Sequence, residues 1–337
     1  MWNRFFSIIF ILLSGIFTFH DETTVSTAYS ARSYVLMDGY SGEILEGKDY
    51  HLVRSVASIS KIMTAILALE SDRLFYAYTI PEEATGIEGS SVYLKCGEQY
   101  RLIDLVYGLL LRSGNDAAYA IAMCLEDSVA SFVEQMNRKA AEIGMENSSF
   151  ANPCGLDIDD EGNRSTSYDM ALLMRYCMEN SFFREVISCK SYRFDTHVYN
   201  NKNKLLKSYE YLLGGKTGFT SKARRTLVTA AKKDEQYLIM VTLDCGSDYA
   251  FHKSAYESYF SRYRYIVFLG KGLNYIDTYI FKTETVIGMR LEKEIALKGI
   301  KKYFINPLTG RLEISLIDEK GIEHFGGEYY GVSVETI

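Results

Sequence analysis

A serine and a lysine three residues apart give the clearest chemical signal in this sequence. Ser58 and Lys61 lie in the stretch SVASISKIMTA, at the start of an apolar run. A serine hydroxyl is a weak nucleophile until a base removes its proton, and a neutral lysine can be that base. Residues i and i+3 share a helix face, so the two side chains would be neighbours. The alternative is a solvated Lys61 in the first turn of an ordinary helix.

A lysine acts as a base only when its pKa falls toward neutrality. A shift from about 10.4 to about 7 costs roughly 4–5 kcal/mol, which burial and a second cation would supply. Two further triplets favour this chemistry, Ser113-Gly114-Asn115 between apolar runs and Lys216-Thr217-Gly218 before a strand-rich part. S-x-x-K, S-x-N and K-T-G in this order are typical of serine acyl-transfer enzymes of the penicillin-binding class.

Hydrophobic periodicity indicates the elements that position these residues. A hairpin is predicted at 33–47, a polar loop at 148–167 and two strands within 226–244. Helices are predicted at 58–70, 103–111, 117–125, 128–143, 167–179, 181–187 and 248–262.

The order of these elements predicts the fold class. Strands at both ends of residues 29–265 and helices between them predict an α/β (α+β) fold. Its antiparallel sheet is built from both chain ends and flanked by helices, with an inserted helical subdomain. Short strands past this region predict a small C-terminal all-β domain at 270–337.

Composition limits the classes of function. The 337 residues include 47% apolar and 24% charged residues, with a net charge of -6. A slightly acidic chain argues against nucleic acid as the main partner, because phosphate binding needs a concentrated basic face. The histidines form no HExxH and the six cysteines have no CxxC spacing, so we predict no metal and no cofactor. We favour mostly free thiols, although export would permit disulfides.

The first 28 residues are interpreted as an export segment. Arg4 precedes an apolar run from Phe5 to Phe19, and the small residues Ser26 and Ala28 follow. This pattern is typical of a signal peptide cleaved after Ala28. A retained anchor and a buried helix are alternatives, and such a run spans only about 22 Å of a roughly 30 Å hydrocarbon core. Any membrane contact is predicted to be made through this segment.

Longer segments around the motifs resemble one family. They are VASISKIMTAILALES, EGSSVYLKCGEQYRLIDLVYGLLLRSGNDAA, NPCGLDIDDEGNRSTSYDMA and GGKTGFTSKARRTLVTAA. They are similar to D-alanyl-D-alanine carboxypeptidases of the low-molecular-weight penicillin-binding proteins, over about residues 33–262. The resemblance implies the β-lactamase/DD-peptidase-like fold. NKNKLL at 201–206 is similar especially to the sporulation branch, which acts on spore cortex peptidoglycan.

The resemblance implies a catalytic role for three residues and a binding role for a fourth. Ser58 would attack the carbonyl between two D-alanines, and Lys61 would take its proton. Ser113 would relay a proton to the leaving amine. Asn115 would hold an amide of the peptide. Water would then release the acyl group from Ser58.

The third motif would bind the end of the substrate. Lys216 would attract the terminal carboxylate and keep Lys61 neutral, and Thr217 would donate a hydrogen bond to that carboxylate. Gly218 would let the strand approach closely. The backbone N–H groups of Phe219 and Ser58 would form an oxyanion hole. The implied partners are a peptidoglycan stem peptide ending in D-Ala-D-Ala and β-lactams as covalent inhibitors, in the cell envelope after export.

The chain departs from the family pattern in three places. Cys154 stands in NPCGL, where the family often has histidine, and we expect a structural role for it. No arginine follows the last strand of the core, so Arg224 or Arg225 would have to bind the carboxylate, or neither does. The sequence ends in GEYYGVSVETI, which is not a basic amphipathic helix, so no C-terminal anchor is expected.

Acidic residues near the motifs have structural interpretations. Asp116 is predicted to cap the helix after Asn115. Asp169 is predicted to be a first-turn charge. The stretch DIDDEG at 157–162 lacks the spacing of a calcium loop, so a solvated loop is favoured over a cation site.

Three other functions stay open. A class A-like β-lactamase would need a glutamate to activate the deacylating water, and Glu161 is the only candidate in the loop 148–167. A wall-binding scaffold could have kept the fold without activity, although three intact motifs argue against it. Transpeptidation would use the same acylation chemistry with an amine acceptor.

Overall fold

The computed structural model describes residues 30–157, 162–277, 279–330 and 332–333. The predicted export segment 1–28 lies outside these residues, as does Glu161 with most of the acidic stretch. Within the described ranges, no helix is both long enough and apolar enough to cross a bilayer.

Residues 30–208 contain short strands and most of the helices of the described part of the chain. In chain order these are β1 (Ala31–Asp38), β2 (Ile44–Lys48), β3 (Arg54–Ser55), α1 (Lys61–Leu69), β4 (Ala77–Thr79), β5 (Gln99–Arg101), α2 (Leu102–Tyr107), α3 (Asn115–Leu125), α4 (Val129–Ile143), β6 (Arg164–Ser165), α5 (Ser167–Cys177), α6 (Ser181–Ser188), β7 (Ser191–Phe194), β8 (His197–Asn200) and α7 (Leu205–Ser208). The remainder is β9 (Leu212–Thr220), β10 (Arg224–Lys233), β11 (Gln236–Cys245), α8 (Asp248–Arg262), β12 (Tyr263–Leu269), β13 (Gly272–Ile276), β14 (Tyr279–Thr283), β15 (Ile287–Glu292), α9 (Lys293–Lys298), β16 (Ile300–Asn306), β17 (Arg311–Ile317), β18 (Glu323–Tyr330) and β19 (Val332–Ser333).

The predicted sheet from both chain ends is confirmed. Its five strands have the order β2-β1-β11-β10-β9, and every neighbouring pair is antiparallel. Alternate residues of β1 enter two cores: Val35 and Met37 join the larger cluster with α1, and Leu36 joins the cluster that contains α8. Helices on both faces explain why the middle of β10, at 226–231, and nearly all of β11 are buried. β9 is left as an edge strand, and it carries the K-T-G motif.

The predicted helices are present, but two of them begin or end irregularly. The helix predicted at 58–70 starts as a 3-10 turn over Ala57–Ser60 before α1. The helix predicted at 103–111 is α2 followed by a π-helical turn over Gly108–Arg112. Such turns occur often at functional sites, and this one ends at Ser113.

The C-terminal region forms small antiparallel sheets, as predicted, with the short helix α9 between two strands. The pairings are β12 with β15, the order β13-β14-β19, and the order β16-β17-β18. Half-buried Arg290 of β15 pairs with buried Asp38 at the end of β1, which joins this region to the main sheet. β12 begins directly after α8, and the domain limits 29–265 and 270–337 stay a prediction.

Candidate active site

Ser58 and Lys61 are brought together by the turn that precedes α1. Lys61 Nζ lies 2.9 Å from Ser58 Oγ. Ala57 adopts the left-handed region with a φ of 50°, and the Ser60 hydroxyl donates to its carbonyl oxygen at 2.9 Å. Non-glycine residues in this region carry strain that the surrounding structure must hold. The backbone around Ser58 is therefore fixed before any substrate arrives.

Lys61 is the most unusual charged group of the site. Its side chain is fully buried, and Nζ also donates to Asn115 Oδ1 at 2.7 Å and to the Cys154 carbonyl oxygen at 2.5 Å. Burial, with a smaller contribution from the Lys202 ammonium, lowers the pKa of Lys61 to about 8. The Cys154 thiol and the Asp116 carboxylate act in the opposite direction. A neutral amine at Lys61 is thus accessible near physiological pH.

The second and third motifs meet beside this pair. Lys216 Nζ donates to Ser113 Oγ at 2.9 Å and to the Thr217 carbonyl oxygen at 2.7 Å. Ser113 adopts the left-handed region with a φ of 65°, directly after the π-helical turn. Lys216 is also buried, and burial together with the Lys61 and Lys202 ammoniums lowers its pKa well below the ordinary value. The structure thus brings together the predicted Ser58, Lys61, Ser113, Asn115 and Lys216.

The K-T-G strand approaches the serine through its glycine. A Cβ added to Gly218 would lie 2.9 Å from the backbone nitrogen of Ser58 and 2.4 Å from Thr226 Oγ1. No side chain fits at such distances, so glycine is required for the close approach. Thr217 is half-buried on the same strand, and the next side chain, Phe219, is 61% exposed.

The profile of the peptidase S11 family, described as D-alanyl-D-alanine carboxypeptidase, matches residues 20–247. This chain belongs to the peptidase S11 family. The match extends across the main sheet, the helices α1 to α7 and all three motifs, so the family resemblance seen in the sequence is confirmed.

Curated relatives of this S11 family member are D-alanyl-D-alanine carboxypeptidases. DacF of Bacillus subtilis is 31% identical over 242 residues, which are 67% of this chain and 60% of that protein. DacC of Escherichia coli is 34% identical over 245 residues, 68% of this chain and 60% of that protein. The chain thus spans about three fifths of the length of these relatives.

Solved structures confirm the fold class. Penicillin-binding protein 5 of Haemophilus influenzae has a TM-score of 0.74 at 25% identity, with 90% of this chain and 98% of that chain covered. A D-alanyl-D-alanine carboxypeptidase of Mycobacterium tuberculosis has a TM-score of 0.65 at 30% identity, with 67% and 89% covered. The more extensive cover of the first structure includes the C-terminal region.

The carboxylate of Asp116, next to the second motif, does not cap α3, so the prediction for this residue of the S11 family member is wrong. The residue at the helix cap position is Gly114, not Asp116. Asp116 is buried and accepts hydrogen bonds from the backbone N–H groups of Val92 and Leu94 and from the Ser91 hydroxyl at 2.5 Å. Asp116 therefore holds the segment 88–94 against α3. Its position inside an apolar helix was the available signal for a buried role.

Amides of the loop after α4 support the serine turn, and the sequence did not predict them. Asn163 donates to Ser60 Oγ at 2.9 Å and accepts from the backbone N–H of Ala151. Asn152 Oδ1 accepts from the backbone N–H groups of Cys154 and Gly155. These bonds hold the Cys154 carbonyl oxygen against Lys61.

Asp169 was predicted to be a first-turn charge, and this is confirmed. It lies in the first turn of α5, where its carboxylate also accepts from Asn147 N–H at 2.8 Å and Ser148 Oγ at 2.7 Å.

Two other cations near the motifs, Lys202 and Arg225, contact groups outside the motifs. Lys202 donates to Ser90 Oγ at 2.9 Å, which places it close enough to lower the pKa of both site lysines. Arg225 pairs with Asp248 at 2.6 Å and covers the ring of Tyr249. A substrate-binding role for Arg225 or for exposed Arg224 stays a prediction.

Proposed function

We propose that this chain is a serine D-alanyl-D-alanine carboxypeptidase that removes the terminal D-alanine from peptidoglycan stem peptides through an acyl-enzyme on Ser58. The observation that carries the proposal is the 2.9 Å contact between Ser58 Oγ and the buried Lys61 Nζ. The contact of Lys216 with Ser113 adds a second amine and a second hydroxyl to the site. Membership of the S11 family supports the same chemistry.

Acylation would begin with a proton transfer from Ser58 to Lys61. Ser58 Oγ then forms a bond to the carbonyl carbon between the two D-alanines, and the carbonyl oxygen takes the negative charge. Backbone N–H groups of Ser58 and Phe219 would stabilise that charge, since donors of this kind act most strongly in a water-excluded site. When the C–N bond breaks, Ser113 would pass its hydroxyl proton to the leaving amine of D-alanine and would be reprotonated by the proton that Lys61 took from Ser58.

The substrate itself would decide which lysine is neutral. Lys61 and Lys216 both have lowered pKa values, chiefly because both are buried, and the Lys61 ammonium lowers the pKa of Lys216 further. A carboxylate that binds beside Lys216 stabilises its ammonium. The restored charge then disfavours the ammonium of Lys61, so the base becomes neutral when the substrate is in place.

The rate of acylation should therefore depend on pH. Lys61 has a pKa of about 8 in the folded protein. A base must be unprotonated, so the second-order rate of labelling by a fluorescent penicillin should rise about tenfold per pH unit below pH 8 and level off near it. Labelling reactions quenched at a series of times, at pH values between 6 and 9, would measure this rate. A flat profile over that range would contradict the assignment of Lys61 as the base.

Release of D-alanine from a pentapeptide ending in D-Ala-D-Ala is the direct test. The wild-type protein should release D-alanine and, after penicillin treatment, show the mass of one adduct on Ser58; Ser58→Ala should do neither. Rapid turnover of penicillin would instead indicate a β-lactamase. Activity that needs an added amine would indicate a transpeptidase, and no activity in either protein would indicate a scaffold.

The setting of the proposed reaction is the cell envelope. The substrate is part of the wall, so the catalytic region would work outside the cytoplasm, and residues 1–28 would direct its export. A role in the spore cortex stays a prediction from the stretch at 201–206.

A further inference from the structure

Asp157 lies between the serine turn and the end of the K-T-G strand. Its Oδ1 accepts from the Ser55 hydroxyl at 2.7 Å, and its Oδ2 accepts from the Thr220 hydroxyl at 2.5 Å. Ser55 is buried in β3, and Thr220 is the last residue of β9. One carboxylate thus joins two segments that are far apart in the chain.

These two segments carry the backbone groups proposed to form the oxyanion hole. Ser55 precedes Ser58 by three residues, and Thr220 directly follows Phe219. β9 pairs only with β10 within the described strands, so its free edge faces the serine turn without a sheet partner. Side chains that bridge this edge therefore contribute to the spacing between the two N–H groups, together with the close backbone approach at Gly218.

Two contacts in the vicinity complete the arrangement. The Thr220 hydroxyl accepts from Ala223 N–H at 3.0 Å, which closes the turn into β10. Thr226 of β10 donates to the Val56 carbonyl oxygen at 3.0 Å, one strand further from the edge. The Thr226 bond holds β10, whereas the contact with Asp157 reaches the end of β9 itself.

Neighbouring residues of the same loop keep Asp157 in place. A Cβ added to Gly162 would lie 2.4 Å from Asp157 Oδ1. The same loop approaches the serine turn at Gly155, where an added Cβ would lie 2.2 Å from the Ala57 carbonyl oxygen. The loop is therefore packed against the turn at one end and bonded to β9 through Asp157 at the other.

We propose that Asp157 is a positioning residue that sets the distance between the two oxyanion N–H groups by bridging Ser55 and Thr220. The inference rests on the proposed function, because the hole matters only if a carbonyl oxygen becomes negative there. Donors aimed at a developing charge affect the transition state more than the bound substrate. Loss of the bridge should therefore lower kcat and leave KM nearly unchanged.

The test compares Asp157→Ala with Asp157→Asn in the full chain. The alanine variant should lose about tenfold or more in kcat for D-alanine release, and the asparagine variant less, because one amide oxygen can still accept from one hydroxyl. Thr220→Val should lower kcat in the wild-type background but have little further effect in the Asp157→Ala background. Thermal unfolding shows whether each variant is folded at the assay temperature.

A matched control is available in the neighbouring residue pair. Arg54 adjoins Ser55 in β3 and pairs with Asp244 at the end of β11, at 2.8 Å. Asp244→Ala removes a carboxylate that contacts β3 without touching β9, so its kcat should stay within about twofold of the wild type.

Three results would overturn the inference: wild-type kcat in Asp157→Ala, a loss confined to KM, or additive effects of the Asp157 and Thr220 changes. If the wild-type protein itself released no D-alanine and bound no penicillin covalently, the proposed function would fail instead.

Discussion

Lys61→Arg should lower the rate of acylation by penicillin about a thousandfold, within the range that general bases contribute. Arginine stays protonated at any pH used for the assay, so it cannot accept the Ser58 proton. Three acceptors surround Lys61 Nζ at 2.9, 2.7 and 2.5 Å, a spacing that suits one amine and leaves no room for a planar guanidinium. Intact-mass measurement of the adduct over time gives the rate.

The control for this prediction is a lysine-to-arginine change at the surface. Lys253→Arg on α8 alters an exposed cation over the Tyr209 ring and should keep acylation within about twofold, as surface substitutions usually do. Circular dichroism and the melting temperature would establish that Lys61→Arg is folded. A folded Lys61→Arg protein that acylates at close to the wild-type rate would remove Lys61 as the base.

Local patterns predicted a large part of the fold and the composition of the site. The i, i+3 spacing of Ser58 and Lys61 fixes their proximity through backbone geometry alone. The hairpin of β1 and β2 and the pair β10 and β11 follow from strand-like runs around turn residues. The contact of Lys216 with Ser113 spans 103 residues, and it could be predicted only from the order of motifs in a known family.

The supporting contacts could not be predicted because they depend on tertiary packing. Asn163 reaches Ser60 across 103 residues, and Asp157 reaches Ser55 across 102 residues, with no periodicity that marks either. The π-helical turn before Ser113 looks like an ordinary apolar helix in sequence. Aspartate is a residue type that often caps helices. The carboxylate of Asp116 instead accepts hydrogen bonds from the segment 88–94, which packs against it.

Lys216→Met should have the second largest effect, about a hundredfold loss of D-alanine release from a peptide with a free terminal carboxylate. A hydrogen bond to a charged group contributes about 1.5–3 kcal/mol, and methionine keeps most of the buried volume while removing the charge. The same peptide with an amidated terminus lacks the carboxylate, so the variant and the wild type should differ far less on it. Steady-state kinetics on both peptides measures the difference.

The same variant also tests the coupling between the two lysines. Once a substrate carboxylate has restored the Lys216 ammonium, that charge opposes the ammonium of Lys61, so without it the pKa of Lys61 in the substrate complex should be higher than in the wild type. The pH at which acylation levels off should move to higher values. An equal loss on both peptides, or a pH profile that does not move, would show that Lys216 acts through packing and not through its charge.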